Sequence, residues 1–320
     1  MANINISSKK TGVTKVKPER FKPLKKSLKR NFDLYLLIAP VLIYFLVFHY
    51  FPMYGVQIAF KNFNASLGIW GSPWVGFDHF ERFFNSFFFW RLILNTLGIG
   101  LYTLALAFPI PIIIALMLNE ARNAKFKKFV QTVIYAPHFL STVVVVGMLL
   151  LFLKPDGLLN QLIILFGGEP IYFITEPSWF KTIYVFSEVW QTMGWSSIIY
   201  LAALTAVDKQ LHEAAVIDGA NRLQRIWHIN IPTIMPTIVI LFILNAGTVM
   251  SVGFEKVFLM QNSLNMSASD VISTYVYRSG ILEAQYSFSA AIGLFNSVIN
   301  FILLVMVNYF AKKANQTSLW

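Results

Sequence analysis

Six mostly apolar runs, each about long enough to cross a bilayer, dominate this chain: 34–50, 95–118, 129–153, 183–204, 234–252 and 289–310. A helix needs about 20 such residues to cover the hydrocarbon. Lipid offers no partner to backbone amides and carbonyls, so runs of this length are expected to fold as transmembrane helices. Composition agrees: 56% hydrophobic residues, 13% charged residues and a mean hydropathy of +0.60 are too apolar for one soluble domain of 320 residues. The expected fold is all-α, a polytopic membrane protein of six transmembrane helices with no second soluble domain.

Lys and Arg set the orientation. Lys9, Lys10, Lys15, Lys17, Arg20, Lys22, Lys25, Lys26, Lys29 and Arg30 crowd the start of the chain. Arg122, Lys125, Lys127 and Lys128 follow the second run, Lys209, Arg222 and Arg225 the fourth, and Lys312 and Lys313 the sixth. The opposite side holds Lys61, Arg82, Arg91, Lys154, Lys181, Lys256 and Arg278. Both termini and the connection over 208–232 are therefore expected in the cytoplasm. Residues 1–30 read as a basic cytoplasmic arm, poor in large apolar residues, ahead of a membrane domain over 31–320. The run that follows is long and lacks a small-residue cleavage site, which argues against a cleaved signal. The net charge of +11 sits beside membrane runs without aromatic interleaving, so anionic lipid accounts for it better than nucleic acid. With no cysteine, disulfides and thiolate metal sites are excluded, and no metal site is expected.

Within the second run Pro109 and Pro111 each remove a backbone donor, which predicts a bend. Pro137 reads as a helix-entry residue of the third. The outer connections are long and glycine-rich. One contains a short amphipathic piece, 158–166, between turns at Asp156-Gly157 and Gly167-Gly168. The aromatic run Phe83, Phe84, Phe87, Phe88, Phe89 and Trp90 borders a span, and an interfacial belt explains it better than a sugar-stacking surface.

The connection over 208–232 reads as two polar helices split by a glycine. Asp208 is placed to cap a helix whose apolar face is Leu211, Ala214, Ala215 and Ile217, with Asp218-Gly219 as its stop. A second short helix, 221–229, is expected to end at Pro232. Small residues at Ala214 and Ala215 let a partner surface come close to the backbone, while Glu213 offers a carboxylate to an arginine. Gly219 sets the angle between the helices where a side chain would be strained.

Glu213-Ala214-Ala215, then Gly219, then Ile229 and Pro232 resemble the coupling loop of permease subunits in bacterial binding-protein-dependent ABC importers. Ile231 stands where leucine is usual, an exchange of one aliphatic for another. From about Asn31 onward the chain is similar to sugar-importer permeases of the maltose-transporter type, most closely the LplB-like permeases and the first permease of the alginate importer. PMYGVQIAF from Pro52, WVGFDHF from Trp74, YAPHFLS from Tyr135, EVWQTMGW from Glu188 and YLAAL from Tyr200 carry that likeness. The resemblance implies the type I ABC importer permease fold in a bacterial inner or plasma membrane. It also implies a second homologous permease, two copies of a cytoplasmic ATPase, an extracellular or periplasmic solute-binding protein and a sugar substrate. Glu213, Ala214, Ala215, Asp218, Gly219, Ile229 and Pro232 would then meet the ATPases, which bind ATP and magnesium; no cofactor is expected in this chain.

Glu188, Gln191 and Trp195 recur at helical spacing on one face of the fourth run, with Trp190 one step round. A carboxylate, an amide and an indole suit sugar hydroxyls and the flat face of a pyranose, although a carboxylate paired inside the bundle fits equally well. Asn245, Asn296 and Asn300 either line the same path or join helices.

Two other classes compete with this reading. A serine intramembrane protease, suggested by Gly194-Trp195-Ser196-Ser197, needs a histidine on a later span, and none of His49, His79, His138, His212 and His228 lies beyond the 208–232 connection. His212-Glu213 starts a zinc signature that Val216 breaks, and no Gly-Lys pair exists to build a phosphate loop. A secondary transporter would need coupling carboxylates of its own or inverted repeats, yet Glu188 alone sits plainly within a span. A permease for a non-sugar solute remains an alternative within the same class.

Overall fold

The computed structural model describes residues 31–315, 318 and 319; the basic arm expected over 1–30 lies outside them. The chain divides into two compact units, Met1–Val56 and Gln57–Trp320. In the first, α1 (Phe32–Phe45) starts with Asp33 in its first turn, where the helix dipole favours an acid, and runs on into a π-turn at Leu46–Tyr50.

The second unit begins with an outer segment containing α2 (Asp78–Phe84), pinned by an antiparallel bridge between Lys61 and Trp74. There follow α3 (Phe89–Ala107), α4 (Pro109–Glu120), α5 (Ala124–Tyr135), α6 (Thr142–Leu153), α7 (Leu158–Leu165) and α8 (Pro177–Leu204). The remainder is α9 (Lys209–Ile217), α10 (Arg222–Arg225), α11 (Ile231–Ala246), α12 (Phe254–Met260), α13 (Ile272–Tyr277) and α14 (Tyr286–Asn315).

Among the described residues, five helical runs are long and apolar enough to cross a membrane: Phe32–Phe60, Phe89–Glu120, Thr142–Leu165, Arg222–Ala246 and Tyr286–Ala314. The sixth is α8, 28 residues long, which carries Lys181 and Glu188 and buries Phe180, Tyr184, Val185, Ser187, Val189, Gly194, Ser197, Tyr200 and Leu204. Its buried face lets it tolerate Lys181 and Glu188, while Phe186, Trp190, Trp195 and Ile199 stay exposed on the rest of the helix.

Three of the expected runs change on folding. The third is not one helix. Pro137 lacks an N–H, residues 136–139 tighten into a 3-10 turn, Leu140 is extended, and Ser141 restarts the chain by capping α6 through a bond from the Val144 N–H. In the second, Phe108, just ahead of Pro109 and Pro111, separates α3 from α4, with its backbone still right-handed helical and its N–H bonded to Leu104 O. The fifth leaves the helix after Ala246 and turns through residues 247–250. Asn300 on α14 holds that turn, accepting from the Met250 N–H at 3.1 Å and donating to Ser251 Oγ at 2.9 Å.

Two buried clusters fix the bundle. Ile99, Val146, Phe180, Tyr184, Val185 and Val257 join α3, α6, α8 and α12. Ala115, Leu116, Tyr200, Leu204 and Ile234 join α4, α8 and α11. A third cluster puts Phe83 against Leu92, Met250, Ile272, Phe288 and Ile292, so this member of the aromatic run is core, whereas Phe87 and Trp90 are exposed as a belt requires. Gly194 permits α8 to meet α5, since a Cβ there would run into the Ile134 carbonyl.

The connections over 155–181 and 253–285 form a stitched cap around buried polar residues. Asn160, wholly buried, donates to Lys154 O and Ile171 O and accepts from the Ile171 N–H. Asn265, equally buried, donates to Ile174 O and Met260 O, tying residues 253–285 to the preceding outer connection. Asp270 is fully buried and takes Arg91 Nη2 at 2.8 Å and Arg278 Nη2 at 3.1 Å.

Candidate functional site

The 208–232 connection begins as the sequence predicts. Asp208 caps α9 by accepting from the Gln210 N–H at 2.9 Å. The helix closes at Gly219, whose φ of +78° is left-handed. The Ala220 N–H bonds to Ala215 O at 2.8 Å and the Gly219 N–H to Val216 O at 3.1 Å, the paired bonds of a Schellman ending. Asn221 then starts α10 with a capping box, its side chain and that of Gln224 each accepting from the other's backbone N–H. Two capped helices around one left-handed residue make a stiff knuckle.

The second helix does not end at Pro232. It passes through a π-turn at Ile226–Asn230 directly into α11, so 222–246 is one continuous helical run. Pro232 sits in the first turn of α11, and the wider π-turn before it removes the need for the amide that proline lacks. The knuckle is thus joined to the fifth span without a loop. Glu213, Ala214, Asp218, Gly219 and Pro232 are exposed, while Ala215 and Ile229 are half-buried. Ile217 is 85% exposed, and Leu223 on α10 and Trp227 in the π-turn are exposed as well. Sequence reasoning passed over Leu223 and Trp227 because neither belongs to the quoted spacing; their i, i+4 separation beside Ile217 was the available signal.

A cavity of about 750 Å³ opens among α3, α8, the turn after α11 and the break before α6. Glu188, Gln191 and Asn245 line it together with Thr103, His138, Tyr184 and Lys256. Lys256 was grouped with the outer basic residues, but it is only 4% exposed and places Nζ 3.0 Å from Glu188 Oε2 and over the Tyr184 ring. Glu188 is therefore paired across the bundle, and it keeps one face toward the cavity. Gln191 donates to Leu140 O at 3.0 Å, and Trp195 stacks on His138 with centroids 4.6 Å apart at 7°. Both side chains brace the break in the third span, and Trp195 lines a second space shared with Asn245. Trp190 and Asn296 line neither space; Asn296 buries Oδ1 without a hydrogen-bond partner among the described residues.

Residues 107–316 match the family described as binding-protein-dependent transport system inner membrane component. The LplB protein of Bacillus subtilis strain 168 is 48% identical over 295 residues, covering 92% of this chain and 93% of LplB. The YteP permease of a polygalacturonan/rhamnogalacturonan transport system in the same organism is 47% identical, covering 95% of each. Among solved structures, a bacterial ABC transporter that imports the acidic polysaccharide alginate contains a chain superposing with a TM-score of 0.85 at 40% identity, covering 92% of this chain and all of that one. A bacterial alginate ABC transporter in complex with an alginate pentasaccharide-bound periplasmic protein also matches, at a TM-score of 0.85 and 39% identity, covering 93% of this chain and all of that one.

Proposed function

The chain belongs to the binding-protein-dependent transport system inner membrane components, and from that premise we propose how its parts divide the work of import. It is the permease subunit of an ABC importer for oligosaccharides, as its relatives' names and the alginate-importing neighbour support. A solute-binding protein delivers the sugar from outside, in keeping with the neighbour's complex with a periplasmic protein. A second permease completes the path and two cytoplasmic ATPases supply the motion; both termini and the knuckle face those ATPases.

One observation carries this reading: a polar, doubly capped helix pair, closed by left-handed Gly219, is continuous with a transmembrane helix whose other end borders the cavity. A push at Glu213, Ala214 and Ala215 therefore passes the tight Gly219 turn and enters a helical run that ends beside Asn245 and the following turn. ATP acts at a distance because the ATPases bind it differently in two arrangements of the same assembly. Glu188, Gln191 and Asn245 serve as polar contacts for a passing saccharide.

Reconstitution of this chain with its partner permease, ATPases and binding protein in vesicles tests the proposal. The expected result is oligosaccharide uptake that requires ATP, the ATPases and the loaded binding protein. Uptake by the permeases without ATPases would overturn it.

A further inference from the structure

The joint between the knuckle and the fifth span is not uniform α-helix. The π-turn over Ile226–Asn230 interrupts it, and Pro232 and Pro236 in the next turns contribute no N–H. Asn230 closes the π-turn with 0% exposure, and neither its amide nitrogen nor its amide oxygen has a hydrogen-bond partner among the described residues. Arg225, just before the turn, buries Nε in the same condition. The neighbours of Asn230 along the chain, Ile226, Ile229, Ile231 and Ile234, all belong to the apolar cluster around Leu116 and Tyr200. A buried carboxamide with both ends unbonded is costly, and native proteins rarely leave such a group without a role. Single π-turns within α-helices are themselves frequent at functional joints.

We propose that Asn230 is a positioning residue for transport: the π-turn is the joint at which the knuckle swings against α11, and the Asn230 amide gains its hydrogen bonds in the other conformation of the transport cycle. The side chain thereby raises the free energy of the conformation seen here and tilts the equilibrium toward its alternative. This rests on the coupling role given above to residues 208–232.

Asn230→Leu keeps the size and removes the amide. In the assembled importer it should leave the ATP-free complex at least as heat-stable as the wild type, while oligosaccharide transport and binding-protein-stimulated ATP hydrolysis fall about tenfold. Asn230→Ser, which restores a donor and an acceptor, should recover part of the rate. Wild-type transport in Asn230→Leu, or a loss of transport that only follows a loss of stability, overturns the proposal. Should that variant fail to assemble, spin labels at the exposed positions Leu223 and Leu244 of an otherwise wild-type complex report the joint directly by double electron–electron resonance. Their separation should change between ATP-free and ATP-trapped complexes. Capture of the ATPases by the complex is checked first: without it the coupling role falls as well, and with it an unmoved joint overturns this inference alone.

Discussion

Glu188 and Lys256 divide one ion pair unequally, since the lysine is almost wholly enclosed while the carboxylate stays partly open to the cavity. Removing one partner of a buried pair strands the other's charge, which costs about 3–5 kcal/mol when the stranded group is fully enclosed. Glu188→Ala strands Lys256 and should lower the melting temperature of the purified complex more than Lys256→Met, which leaves a carboxylate that water can reach. Combining the two should recover part of the loss, a coupling that a double-mutant cycle measures. Equal shifts from both single variants would contradict the assigned burial. Gly219 is constrained by backbone instead of charge. With φ at +78°, any L side chain is strained, at about 1 kcal/mol for alanine and more for a β-branched residue, although open space surrounds the position. Gly219→Val should therefore spare assembly and change the angle between α9 and α10, abolishing transport-coupled ATP hydrolysis. Normal sugar uptake by that variant would refute the role given to the knuckle.

At the scale of elements, what local chemistry decides was readable in the sequence. Asp208 as a cap, Gly219 as a stop and the piece between Gly157 and Gly167 each depend on residues within one or two turns, and each forms where expected. What distant contacts decide was not. The third run is a mixed case: Pro137 and Ser141, both visible in the sequence, make the break locally, but nothing in the run reveals that Gln191 and Trp195, on another helix, pack against Leu140 and His138 there. Lys256 looked like an outer-loop cation because nothing nearby signals that α12 packs into the cluster of Ile99 and Val185. The path through Pro232 was hidden by the π-turn, which no local propensity announces. The α5–α8 contact can be tested separately. A methyl group at Gly194 collides with backbone, which cannot rotate away as a side chain could, so overpacking of about 1–3 kcal/mol is expected. Gly194→Ala should lower the complex's thermal stability and loosen the break before α6, read as faster amide hydrogen exchange at Leu140. Unchanged exchange there would mean that α8 does not hold the break.

Over the whole molecule, the proposed coupling knuckle and the cavity share α11, which carries Asn245 in its last turn, while the residues around Asp270 have a separate support. The knuckle joins α11 and the cavity lies beside α8, while the outer cap hangs from α3 through Arg91 and Asn95, both bonded to the segment around Asp270. Asp270 also holds Arg278, so one buried carboxylate fixes residues 253–285 against the bundle. If the proposed binding protein docks on this cap, the cap must be held rigid, because a loop free to move would absorb its contact without passing it on. Asp270→Asn keeps the shape but removes the charge that two guanidinium groups share, so the cap should loosen while the knuckle, far along the chain, stays intact. The expected outcome is a reconstituted importer whose ATPase activity without binding protein is unchanged and whose stimulation by loaded binding protein is largely lost. A uniform fall in both activities would instead tie Asp270 to general stability, and full stimulation would show that docking does not need the cap held rigid.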